Sequence, residues 1–210
     1  MIINVSGRAE RDVAPDLGVV QLTIGFSGND KAVVLAKAHE KANWLAEQIE
    51  ALPADELVKY SSDGVRNYSY TRQEKKVKQV IHEASCSFAV TFKDLAALSQ
   101  RTAEWCQAEG ISHDWTDWGL TDQRKTSILT ELLGEALDVA KRKAVTIARH
   151  LGECDPQIVE VRENHDEMPR FRQAMLLGAA SQDESSNIFE ARPEERHLSH
   201  SIGVTFKTES

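Results

Sequence analysis

The sequence predicts an α+β fold, an antiparallel-rich sheet with long amphipathic helices packed on one face. Three observations carry this. Several runs alternate apolar and polar residues, the period of a half-buried strand. Three other stretches repeat apolar residues at steps of three and four, the period of a helix with one dry stripe. Aspartates stand where those stretches begin, supplying the acceptor that an exposed helix start needs.

The first alternating run sets Ile3, Val5, Gly7, Ala9 and Val13 against Asn4, Ser6, Arg8, Glu10 and Asp12. Ala14-Pro15-Asp16 interrupts it, and Val20, Leu22, Ile24 and Phe26 resume the rhythm. Two strands separated by a Pro-Asp turn are expected to form a hairpin.

A helix follows the Asn29-Asp30 cap, with Leu35, Ala38, Ala42, Leu45, Ile49 and Leu52 as its stripe, and stops before Pro53. From Val80 to Phe92 the even positions are mostly apolar, which predicts a long strand with one packed face and His82 on that parity. Asp94 caps a second helix whose Leu95, Leu98 and Trp105 face inward, and Gly110 supplies a left-handed reversal. The third helix runs from Asp122 to Leu151, with Leu129, Leu133, Ala136, Ala140, Ala144, Ile147 and Leu151 expected on its packed face. A last strand carries Leu198, Ile202, Val204 and Phe206. Shorter strands are expected at Leu57 to Tyr60, Tyr68 to Thr71, Ile111 to Leu120 and Gln157 to Val161.

The order of elements suggests an internal echo: strand, long helix, short strand, polar stretch, long strand. It runs from about Leu17 to Phe92 and again from Ile111 to Phe206. A single domain over 1–210 is expected, with a mobile loop at about 164–196.

Composition narrows the function. A net charge of -8 argues against a general nucleic-acid binder, which needs a basic face to displace counterions from phosphates. Lys75, Lys76 and Lys78, with Arg72, form the dense positive run and read as a solvated hairpin tip that discourages edge pairing. No apolar run reaches the roughly 20 residues of a membrane helix. The chain opens almost directly on its first strand without a leader pattern, and its 3 cysteines lack Cys-x-x-Cys spacing, so a cytoplasmic location is expected.

Val5-Ser6-Gly7, Ala14-Pro15-Asp16, Phe92-Lys93-Asp94-Leu95, and Ala136, Ala140, Lys143, Ala144, Ala148 and Leu151-Gly152 together resemble the SIMPL domain family over nearly the whole chain. That resemblance implies long helices on an antiparallel-rich sheet and a tendency to assemble into large rings or cages. The family takes its name from an animal protein that binds a signalling kinase. Many bacterial members are periplasmic or associated with the outer membrane. The resemblance supplies no catalytic residue.

No nucleophile elbow, P-loop or dinucleotide-binding glycine turn is present. Cys86 falls on a packed strand face, where a thiol is inert. The favoured class is a non-enzymatic, self-associating scaffold or binding protein, a homo-oligomer without cofactor. Its candidate interface residues are Tyr60, Tyr68, Tyr70 and Trp118, amphipathic rings suited to contacts. Trp115 and Trp118, three apart on a strand, are expected to emerge on opposite sides, one beneath a helix. The alternative is a metal-dependent ligand binder or enzyme using His113, Asp114 and Asp117, joined by His197 or His200. His197 and His200 stand three apart on a strand and so point to opposite faces.

Overall fold

A computed structural model describes residues 1–74, 77–164 and 193–208. Among them are β1 (Ile2–Val13), β2 (Leu17–Gly28), α1 (Lys31–Glu50), β3 (Leu57–Ser62), β4 (Arg66–Glu74) and β5 (Val77–Phe92). After these come α2 (Leu95–Cys106), β6 (Ile111–Gly119), α3 (Asp122–His150), β7 (Gln157–Asn164) and β8 (Arg196–Lys207). The expected α+β class holds, with antiparallel pairing throughout. Most of the expected 164–196 loop lies outside the described residues, its ends being the last residue of β7 and the first of β8.

The chain divides into two compact units, one holding β1, α3, β7 and β8 and the other holding β2 to β6 with α1 and α2. The first is a three-stranded sheet in the order β1-β8-β7, with α3 lying over β1 and β8. Ile3, Ile202, Val204 and Phe206 meet Ala136, Ala140, Ala144 and Ala148 in its core. Alanine on the helix allows close approach to the sheet. At the rim Arg11 of β1 donates to Glu131 and Glu135 of α3, at 2.6 Å each.

The packed row of α3 differs from the expected stripe. Ile128, Leu132, Ala136, Ala140, Ala144 and Ala148 are buried, Leu129 and Leu133 are half-buried, and Ile147 and Leu151 are exposed. The steps are all four rather than a mixture of three and four. Four residues turn a helix by about 400°, so each member stands about 40° round from the last. Such a row winds about the helix, as contact with a twisted sheet requires.

The second unit is a five-stranded sheet in the order β3-β5-β2-β6, with β4 also paired to β5. Val20, Leu22 and Ile24 of β2 and Cys86, Phe88, Val90 and Phe92 of β5 pack under Leu45 and Ile49 of α1 and Leu98 and Trp105 of α2. Both helices begin as the sequence predicts. Asp30 accepts from the N–H groups of Ala32 and Val33, and Asp94 from those of Ala96 and Ala97. β4 and β5 form a hairpin closed by the pair Glu74 and Val77; Lys75 and Lys76 of the expected basic tip lie outside the described residues.

β1 and β2 do not form a hairpin. β1 pairs with β8 along its whole length, while β2 pairs with β5 and β6. Ala14-Pro15-Asp16 instead carries the chain from one sheet to the other. Asp16 is held by the end of β6: its N–H donates to Gly119 O at 3.0 Å, and its carboxylate accepts from Thr121 N at 2.7 Å and Thr121 Oγ1 at 2.8 Å. Proline, with no N–H to give a ladder, suits a connection better than a paired strand.

The internal echo exists in a different form from the expected one. Strand, helix, strand and long strand recur as β2, α1, β3, β5 and as β1, α3, β7, β8. In both, the long last strand lies in the middle, giving β3-β5-β2 and β7-β8-β1. The second unit is inserted in the chain between the first strand and the helix of the other.

Candidate interaction surface

Strand alternation gives the five-stranded sheet two unlike faces. The parity of Leu22 and Phe88 lies under α1 and α2. The other carries Gln21, Thr23, Ser85, Ser87 and Ala89, all half-buried. At its margin β4 presents Tyr68 and Tyr70, two residues apart and therefore on one side.

Their positions follow from the hairpin. The pair Glu74 and Val77 fixes a register that sets Tyr68 opposite Glu83 and Tyr70 opposite Ile81, leaving Glu83 diagonal to Tyr70. Both phenols donate to the Glu83 carboxylate, Tyr70 at 2.8 Å. The rings stack with centroids 6.2 Å apart and planes 26° apart. Even so, Tyr68 is 57% and Tyr70 42% exposed. The carboxylate, stabilised first by Tyr68 and then by Tyr70, is held below the usual carboxylate range. The phenols in turn titrate higher than usual, because losing a proton would break that bond and set two anions side by side.

The other two candidate interface residues stand on the opposite face. Tyr60 pairs with Val90, its ring stacks on Phe88 at 6.4 Å, and its hydroxyl donates to Glu50 of α1 at 2.5 Å, which raises its pKa. Trp118 is half-buried against the core over Gly18, where a Cβ would lie 3.1 Å from its ring. Trp115, its neighbour on the other side of β6, is the more exposed indole. The structure therefore brings Tyr68 and Tyr70 together, and neither Tyr60 nor Trp118 joins them.

His113, Asp114 and Asp117 do not converge. A bulge in β6 makes Asp114 an extra residue between His113, opposite Leu22, and Trp115, opposite Gln21. The Asp114 carboxylate accepts from Thr23 Oγ1 at 2.7 Å, while His113 Nε2 lies 2.8 Å from Thr116 Oγ1. In the other unit His197 Nδ1 sits 2.8 Å from Asp12 Oδ1, and His200 Nε2 lies 3.2 Å from Glu163 Oε1 without a hydrogen bond's alignment. Among the described residues no three His, Cys, Asp or Glu side chains are placed to hold a metal ion.

A depression of about 540 Å³ opens beside the start of α1, lined in part by Phe26, Val33, Val34 and Lys37. The Lys37 ammonium lies 5.9 Å from the centre of the Phe26 ring. Asp30 already occupies the free N–H groups of the helix start, which leaves it poorly suited to an anion.

The residue passed over in the sequence is Glu83. Its signal lies in the register: strands that meet at Glu74 and Val77 set position 68 opposite position 83.

Fold and surface together define an α+β protein with helix-covered antiparallel sheets and an open aromatic margin. The chain belongs to the SIMPL family, described as a protein of unknown function (DUF541), whose model matches residues 3–206 and so spans both units. No curated protein matches it. Among the described residues no helix is long and apolar enough to cross a membrane.

Proposed function

We propose that this SIMPL-family chain is a non-enzymatic, self-associating scaffold that contacts protein through the Tyr68–Tyr70 margin of its five-stranded sheet. The observation that supports the reading is the tyrosine pair itself: two exposed rings held in place by one shared carboxylate. A ring already fixed loses little side-chain freedom on contact, which lowers one of the main costs of association. Tyrosine also concentrates binding energy, since its ring buries area while its hydroxyl keeps a polar partner.

Sedimentation velocity across micromolar concentrations tests this. Species heavier than the monomer are expected, growing with concentration and diminished when Tyr68→Ser and Tyr70→Ser are combined. A strictly monomeric chain that also captures no protein in a pulldown sinks the reading.

A further inference from the structure

At the end of the three-stranded sheet stands β7, exposed over residues 157–163. Ile158, Val159 and Val161 are 52%, 63% and 47% exposed. Ile158 nonetheless pairs with Phe206 and Val161 with Val204, both buried in the core beneath α3. The dry face of the sheet thus runs past the helix, which lies over β1 and β8, to an open edge. Among the described residues no strand lies beyond it, so its outward backbone N–H and C=O groups form a template for another strand. Glu160 and Arg162 flank Val161 and point to the other face, where Arg162 Nε donates to Glu160 Oε1 at 2.8 Å.

We propose that β7 is a self-pairing edge, by which two copies of this chain join in an antiparallel ladder centred on Val161. The proposal rests on the self-association put forward above and adds to the tyrosine margin a second surface at which copies meet. A two-fold axis normal to the sheet sets each residue opposite one of its own face. Centred on Val161, it sets Glu160 opposite Arg162 of the second copy, twice, and valine opposite valine. Sliding one strand by two residues either way sets Glu160 on Glu160 or Arg162 on Arg162, and like charges directly opposite are unfavourable. Of these three registers the charges favour the one centred on Val161. Val159, the extra residue of a bulge against β8, stands outside the three central pairs. Among the edges of the other sheet, β6 carries Asp114 and Asp117 with no lysine or arginine to face them across a two-fold axis.

A cysteine placed on the axis tests the register. Cys154→Ser first removes the exposed native thiol. Val161→Cys then sets two thiols on residues directly opposite, at Cα separations of roughly 4.5 or 5.5 Å, which a disulfide spans. Mild oxidation is expected to turn most of the chain into a reducible dimer, and Ile158→Cys or Val159→Cys to give far less.

Charge reversal is the second arm. Glu160→Arg or Arg162→Glu alone is expected to weaken dimerisation by about tenfold in sedimentation velocity, and the double reversal to restore it. A Val161→Cys chain that stays uncrosslinked, or a double reversal no better than either single one, overturns the proposal. If such a chain still self-associates, the proposed function survives without this edge. A crosslink that persists in the Tyr68→Ser/Tyr70→Ser background supports β7 as a contact separate from the tyrosines.

Discussion

The backbone of Ala136 occupies the place a side chain at Gly7 would need: a Cβ there would lie 1.9 Å from Ala136 O and 3.1 Å from Ala140 N. Helix α3 thus sits on β1 at a distance that only glycine permits. Gly7→Ala cannot be relieved by a rotamer change, because the obstacle is backbone. It is expected to lower stability by about 3 kcal/mol or more, read as a fall in the urea midpoint. Gly25→Ala, with nothing within 4 Å of its Cβ, is the control and is expected to change stability by less than about 0.5 kcal/mol.

The winding row on α3 makes a second prediction. Leu132 is fully buried, whereas Leu151 is 60% exposed. Leu132→Ala removes three carbons from a closed site and is expected to lower stability by about 2–5 kcal/mol. Leu151→Ala is expected to stay within about 0.5 kcal/mol of the parent. A larger loss at Leu151 than at Leu132 would mean that the helix packs along the mixed three-and-four stripe instead.

How far these features could be read in advance depended on their range. The starts of α1 and α2 were legible because a cap is local: Asp30 and Asp94 each bond N–H groups two and three residues on. Parity along β2, β8 and the Ala84 to Phe92 part of β5 gave their buried faces for the same reason, whereas Val80, on the same parity, is 49% exposed. Partner choice was not legible. Val13 and Leu17 are four residues apart in the sequence yet belong to different sheets, and alternation says which face is dry without saying which strand lies alongside. The site divided in the same way. That Tyr68 and Tyr70 share a side follows from spacing, but Glu83 enters only through the hairpin register, and Trp118 lies against the core because Gly18 leaves room for it.

The cysteines offer a third check. Burial pushes the thiols of Cys86 and Cys106 up, leaving little thiolate to react. Cys154 is exposed. A thiol reagent added to the folded protein is therefore expected to label one equivalent quickly, and Cys154→Ser to abolish that phase. The remaining two of the 3 thiols are expected to react only as the chain unfolds. Fast labelling of a second thiol in the folded state would contradict the packing of β5 or α2.

The tyrosine clasp gives the sharpest test, because the chain has only 3 tyrosines and each donates to a carboxylate. All three phenols are raised above their ordinary pKa of 10.0. Proton linkage fixes the sign: a group with a raised folded pKa contributes stability below its unfolded pKa and loses it as pH climbs through the folded value. Glu83 is shifted the other way, so its contribution is present above the unfolded carboxylate pKa and fades as pH falls through the depressed one. The clasp is thus complete between the ordinary carboxylate and phenol ranges and opens at either extreme. Ultraviolet titration of the folded protein is expected to show every tyrosinate forming late. Glu83→Gln removes the anion beside Tyr68 and Tyr70, so two phenols should return toward ordinary values while Tyr60, bonded to Glu50, stays high. Glu50→Gln should do the reverse. If Glu83→Gln moved all three together, or none, the division of the tyrosines between two carboxylates on opposite faces of the sheet would be wrong.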